Sequence, residues 1–323
     1  MTTVTDNLLA PLLGQLEQRF CQRLLRLHDG QQALREAGSG EAVVLLHGIG
    51  SGAASWLQVA LGLSERARVI AWDAPGYGQS APLPMAKPSA QDYAGRLLQM
   101  LDALGIERCL LVGHSLGALT AAAFAQAHPQ RISRLVLLSP ARGYGAPELA
   151  EQGRVVRDKR LHSLELLGIA QLARERSAHL LSPSASAMAL AWVQWNMARL
   201  LPHGYRQAIE LLCGDHLLRY APGSADAIAG QTCSHAARRS VAWERACPAT
   251  APERTADTPP CEVHCGSVDG ITRPDDCQAL AQSLGAPFSL IVGAGHACAI
   301  EQPHTVIGLL ARALDASLTG SVL

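Results

Sequence analysis

Ser115 lies in the run Gly113-His114-Ser115-Leu116-Gly117, directly after the apolar stretch CLLV at 109–112 and directly before the helical stretch GALTAAAFAQAH at 117–128. A strand that turns at once into a helix forces its central residue into a strained backbone and exposes the side chain. The flanking glycines are needed because larger side chains would clash in so tight a bend. The helix that follows points free N–H groups and its positive dipole end at the hydroxyl. This is the setting of a nucleophile. The pattern glycine-x-serine-x-glycine alone is weakly specific; the strand-to-helix context lifts it above an ordinary glycine-rich turn with an inert serine.

A serine hydroxyl needs a base to take its proton at neutral pH, and histidine suits that task. Of the twelve histidines, His296 stands out. It sits in VGAGHACAIEQP, just after the apolar run FSLIV at 288–292, and so at the C-terminal edge of a strand, where parallel sheets bind ligands. His114 adjoins the serine, but neighbours in a turn point different ways, so it is read as a residue beside the site. A carboxylate must hold the base in the right tautomer. Asp269, in GSVDGITRP immediately beyond the run CEVHC at 261–265, has the same strand-end placement. Asp275 and Asp276 follow Pro274 and read as helix-start residues. No acid lies between the run RLVLL at 134–138 and Glu148. Acyl transfer also needs donors for the developing oxyanion. The expected pair is the backbone N–H of Leu116 and that of Ile49, in the loop LLHGIGSG, which lacks the Gly-Lys-Ser/Thr of a phosphate loop.

These residues need a sheet to hold them. Residues 6–21 read as a short amphipathic helix, and residues 23–37 as a hairpin about a type I′ turn at Asp29-Gly30. From Glu41 onward, six apolar runs at 42–46, 68–72, 109–112, 134–138, 261–265 and 288–292 alternate with helical stretches, the signature of a parallel sheet. The expected fold class is α/β, a mostly parallel central sheet flanked by helices, with a helical lid inserted after the sixth sheet strand. The core takes 1–145 and 260–323, the lid 146–220, and an irregular insertion 221–259. That insertion carries four prolines, with a fifth at Pro260 just beyond it, and four arginines with no sustained period, and reads either as a flexible surface insertion or as a disturbed reading frame.

The chain resembles the α/β-hydrolase fold family. The matching pieces are His47-Gly48, the turn from Asp73 through Pro75, Gly76 and Gly78 to Ser80, the serine turn, Asp269, and Gly295-His296 followed by Glu301-Gln302-Pro303. They span 41–145 and 260–318, and the chain order serine, aspartate, histidine is that of the family. The resemblance implies a structural Asp73 that shapes a loop. The 221–260 segment is longer than the family usually has there.

Other residues tempt more weakly. Cys261, His264 and Cys265 could be taken for metal ligands, but strand alternation sends His264 to the opposite face from the two thiols, so no metal is expected. Cys298 reads as a small buried residue. Trp192 and Trp195, with Met188 and Arg199, form one helical stripe; packing is the plainer role, and Trp192, Trp195, Asn196 and Tyr205, with His114, are the candidate pocket residues. Lysine plus arginine equals aspartate plus glutamate at 27 each, which excludes the basic footprint of a nucleic-acid binder. The first residues lack a cationic n-region, and no apolar run reaches the roughly 18 residues of a membrane span, so a cytoplasmic protein is expected. Nine irregularly spaced cysteines do not read as a disulfide framework. The expected activity is hydrolysis of a carboxylic ester or lactone through an acyl-serine intermediate, with no cofactor, on a small-molecule acyl substrate; oligomeric state is left open. Alternatives are a carbon–carbon bond hydrolase of vinylogous diketone acids, which a buried lid arginine such as Arg199 or Arg206 would support, a triad-retaining ligand receptor, and an acyltransferase.

Overall fold

The computed structural model describes residues 4–221 and 258–319. The irregular segment at 221–259 lies almost wholly outside the described residues. Eight strands form one sheet: β1 (Cys21–Leu27), β2 (Gly30–Ala37), β3 (Ala42–Leu46), β4 (Arg68–Trp72), β5 (Cys109–His114), β6 (Ile132–Leu138), β7 (Cys261–Gly266) and β8 (Phe288–Ile291). Their order is β1-β2-β4-β3-β5-β6-β7-β8. The β1–β2 and β2–β4 pairings are antiparallel, and all the others are parallel.

The central strands are apolar throughout because both faces are covered. In β3 every residue is buried, Val43 and Leu45 facing one layer, Val44 and Leu46 the other. The first layer holds α1 (Val4–Gln18), α2 (Leu57–Leu63) and, at the chain's end, the helix Pro303–Thr319, through Leu9, Val59 and Leu310. The second holds α3 (Ala90–Ala103) and α4 (Gly117–Ala127), through Leu97 and Phe124, and the helix Pro274–Ser283 through Leu280. The start of α3 is set by a capping box: the Ser89 side chain accepts from the Asp92 amide while Asp92 accepts from the Ser89 amide.

Between β6 and β7 the chain makes α5 (Ala150–Arg176), α6 (Ala187–Met197) and α7 (Pro202–Gly214). Asp215, buried just after α7, ties these helices to the core: its carboxylate accepts from the Ala90 amide at 2.8 Å and from the Tyr220 hydroxyl at 2.6 Å. The later helices are α8 (Pro274–Ser283), α9 (Cys298–Glu301) and α10 (Pro303–Thr319). Asp275 and Asp276 sit in the first turn of α8, as the sequence implies.

Two local expectations are corrected. The hairpin reverses at His28-Asp29, since Leu27 pairs with Gly30. Neither turn residue has positive φ, and only Gly30 does, at 120°, so the turn is not type I′. The run 288–292 is not a core strand: β8 is the sheet's edge, ends at Ile291, and leaves Val292 79% exposed.

Candidate active site

The site lies at the C-terminal ends of β5, β7 and β8. Ser115 has φ 53°, in the left-handed region that a serine rarely enters. Its amide donates to the Leu138 carbonyl at 3.0 Å and its carbonyl accepts the Ala141 amide at 3.1 Å, so the end of β6 holds the strained turn. The flanking glycines are required by close approach. A Cβ on Gly113 would lie 2.7 Å from the Ala118 Cα, and one on Gly117 would lie 2.5 Å from the Leu46 carbonyl oxygen.

His296 Nε2 lies 2.9 Å from the Ser115 Oγ, and His296 Nδ1 lies 2.9 Å from the Asp269 Oδ2. All three residues are buried. With Nδ1–H donating to the carboxylate, Nε2 carries the lone pair that accepts the serine hydroxyl. Asp269 is itself oriented: Oδ1 accepts the amides of Ile271 at 2.8 Å and Thr272 at 3.0 Å. Burial pushes its carboxyl up, but the hydrogen bond and charge of His296, with the Ile271 amide, outweigh burial and hold it at about 2. The arrangement is a hydroxyl–imidazole–carboxylate relay, with the carboxylate ionised at any ordinary pH.

The loop after β3 is clamped beside the serine. His47 Nδ1 donates to the Gly48 carbonyl at 2.8 Å, its Nε2 accepts the Ala74 amide at 3.0 Å, and the Tyr77 hydroxyl donates to the Ile49 carbonyl at 2.9 Å. Burial lowers the His47 pKa, which keeps that ring a neutral strut. Among the described residues the amides of Ile49 and Leu116 have no hydrogen-bond acceptor. Asp73 shapes the same loop by accepting the Ala53 amide at 2.8 Å.

His114 lies beside the site. Its Nε2 donates to the His296 carbonyl at 2.8 Å, and burial, then the neighbouring His296, lower its pKa to about 3. Three further residues support the site: Thr272 and Ser139, which carry no signal in the sequence, and Glu301, from the Glu301-Gln302-Pro303 run. Thr272 Oγ1 lies 2.9 Å from the Asp269 Oδ2 and 3.3 Å from the His296 Nδ1, and donates to the Ser139 carbonyl at 3.1 Å. Ser139, at the end of β6, is buried and also left-handed, with φ 43°. Glu301 accepts the Gly295 and Ser182 amides at 2.8 Å each, fixing the histidine loop against the segment before α6.

A cavity of about 430 Å³ opens over Ser115 and His296, walled by α5–α7. His114, Asn196 and Tyr205 line it, but Trp192 and Trp195 do not, which corrects the pocket expectation for those two. At about 100° per residue, Val193, Asn196 and Met197 share one face of α6, and the tryptophan stripe lies about 120° round the helix. Trp192 instead packs into the layer that holds α1, stacked on Trp195 at 4.8 Å, and Arg199 sits 4.5 Å over the Trp195 ring. Arg199 and Arg206 are exposed, so neither is the buried lid arginine. The arginines that do line the cavity from α5 are Arg160 and Arg176.

His264 binds Ser289 at 2.7 Å, away from the buried Cys265, and among the described residues no histidine, cysteine or acid cluster could hold a metal ion. Cys298 is fully buried, which pushes its thiol up to about 12. Among the described residues no helix is long and apolar enough to cross a membrane.

The sequence profile of the alpha/beta hydrolase fold matches residues 41–303. The chain belongs to the α/β-hydrolase fold family. Among curated relatives, an uncharacterised protein of Mycobacterium tuberculosis is 44% identical over 113 residues, 35% of this chain and 33% of that protein. A 2-hydroxy-6-oxo-6-phenylhexa-2,4-dienoate hydrolase of Comamonas testosteroni is 40% identical over 119 residues, 36% of this chain and 41% of that enzyme. The chain thus spans less than half the length of these relatives. An enol-lactonase structure from Burkholderia xenovorans superposes with a TM-score of 0.71 at 22% identity, covering 91% of this chain and 100% of that one, a likeness of fold.

Proposed function

We propose that this α/β hydrolase cleaves a carboxylic ester or lactone through an acyl-serine intermediate, with Ser115 as nucleophile, His296 as general base and Asp269 as the orienting acid. One observation carries the reading: an unbroken relay of two 2.9 Å contacts from the Ser115 hydroxyl through His296 to Asp269, ending on a strained turn that faces a cavity. His296 Nε2 takes the hydroxyl proton as Oγ attacks the carbonyl carbon. The amides of Leu116 and Ile49 receive the oxyanion. Collapse returns the proton to the leaving alkoxide, and His296 then deprotonates the water that releases the acid. None of these steps calls for a cofactor. The helices α5–α7 act as the lid over the substrate.

The test is Ser115→Ala with p-nitrophenyl butyrate. Release of p-nitrophenol should fall to the buffer rate while the near-ultraviolet circular dichroism is kept; turnover at the wild-type rate would overturn the assignment.

A second reading, cleavage of a carbon–carbon bond in a vinylogous diketone acid, is favoured by the name of the Comamonas relative. Decay of the visible absorbance of 2-hydroxy-6-oxo-6-phenylhexa-2,4-dienoate, faster than any activated ester is consumed, would select it.

A further inference from the structure

Helix α5 is not one straight rod. At Gly168 the backbone leaves the helix, with φ 66° and ψ 172°. A Cβ there would meet nothing within 4 Å, so it is the dihedral pair, a region essentially reserved to glycine, that demands the residue. The bend has a consequence for charge. Arg160 and Arg176 lie on opposite sides of it, and in a straight helix sixteen residues would part them by about 24 Å. Across the bend both line the one cavity that also exposes Ser115 and His296.

Neither arginine forms an ion pair with a described carboxylate. Arg160 Nη1 donates to the Tyr205 hydroxyl at 3.2 Å, and Tyr205 is itself buried; Arg176 makes no hydrogen bond to a described residue. Burial, and then the charge of Arg160, lower the pKa of Arg176. The other charged side chains on the cavity wall are Arg142, which pairs with Glu148 at 3.7 Å, and the exposed Asp276 on α8. Two half-buried guanidiniums line the wall with Leu172, Leu180 and Met197, and with no matching acid among the described residues they offer an anion unpaired donors in a partly desolvated setting.

We propose that Arg160 and Arg176 form an anion subsite that grips a carboxylate on the acyl substrate while its reacting carbonyl reaches Ser115. The guanidinium fork matches a planar carboxylate with paired N–H donors, which an ammonium would not. The apolar wall between the arginines and Ser115 suits a hydrocarbon spacer. The substrate class is therefore an ester or lactone whose acyl part ends in a free acid. The inference deepens the hydrolase reading and rests on it for the word substrate; anion binding itself does not.

The experiment separates the two. Ser115→Ala protein is titrated by calorimetry with the monomethyl esters of succinic, glutaric, adipic and suberic acids and with the corresponding dimethyl esters. At least one chain length should bind at least about 10-fold tighter as the monoanion than as the neutral diester, the usual worth of charged hydrogen bonds. Adding Arg176→Gln or Arg160→Gln should erase the preference, and Arg176→Lys should restore only part of it; unchanged thermal melting keeps these variants informative. Equal affinity for monoanion and diester at every length would overturn the proposal, even if wild-type protein hydrolyses esters through Ser115. A monoanion preference lost in Arg176→Gln would support it, even if wild-type protein hydrolyses no ester, in which case only the hydrolase reading falls.

Discussion

Replacing Asp269 by Asn exchanges one carboxylate oxygen for an NH2 group at constant shape. The orientation of the new amide is dictated by its surroundings. Oδ1 accepts two backbone amides, from Ile271 at 2.8 Å and Thr272 at 3.0 Å, so the retained carbonyl oxygen must take that place. The NH2 then occupies the Oδ2 position, 2.9 Å from His296 Nδ1. A donor there turns Nδ1 into an acceptor and moves the ring proton to Nε2. That proton faces the Ser115 Oγ across 2.9 Å, where a lone pair is needed. The wrong tautomer in an otherwise intact relay should lower kcat about 10,000-fold, or about 5.5 kcal/mol in the barrier. The assay is kcat for p-nitrophenyl butyrate between pH 6 and 9, with near-ultraviolet circular dichroism to establish that the fold survives. Because the wild-type carboxyl is held at about 2, wild-type rates should show no limb from Asp269 above pH 4. A folded variant within tenfold of wild type would refute the tautomer argument.

His114 should make the protein acid-sensitive. Its folded-state pKa of about 3 lies far below the ~6.5 of an unfolded histidine, so between those values the unfolded chain binds the extra proton. Stability is complete above about pH 6.5 and falls as the pH drops towards 3. From pH 7 to pH 5 the loss is about 2 kcal/mol, a ceiling because one face of the ring meets the cavity. In urea unfolding, His114→Gln should lose correspondingly less over that interval; an identical pH dependence in the two proteins would contradict this. Gly48→Ala should damage catalysis, since the new Cβ would sit 2.9 Å from the Ser115 Cβ and 3.2 Å from His114 Nδ1. A displaced Ile49 donor or serine hydroxyl should lower kcat/KM about 100-fold on p-nitrophenyl butyrate, and a rate near wild type would mean that this loop does not face the reacting carbonyl.

The parts of the site legible in the sequence are those announced locally. Ser115, Asp269 and His296 each follow an apolar run at once, so each could be placed at a strand end from its own neighbours, and strand ends in one parallel sheet converge. Thr272 and Ser139 have no such mark. Their contact joins residues 133 positions apart and exists only because β6 and β7 are neighbours in the sheet. The tryptophan stripe was legible as a face of α6, but a stripe does not say which neighbour it meets, and α1 rather than the cavity took it. Arg160 and Arg176 carry no mark in the sequence that sets them apart from the other charged residues of α5. Composition reveals neither the break of the helix at Gly168 nor that residues on both sides of it line one cavity.

Strain in this site is concentrated where the relay must be exact. The described residues hold two non-glycine residues at positive φ, Ser115 and Ser139, and they end the adjacent strands β5 and β6. Each such conformation costs on the order of 1–3 kcal/mol and persists only if its surroundings leave no alternative. The alternatives are closed by interlocking strand ends: the Ser115 amide is bound to Leu138 on β6, and the Ser139 amide is bound to His264 on β7. Each strained turn is thus anchored by the next strand across, and β7 in turn delivers Asp269. A sheet built this way transmits position from carboxylate to hydroxyl through backbone hydrogen bonds as well as through the imidazole. Backbone hydrogen bonds across three neighbouring strands thus hold both 2.9 Å contacts in register.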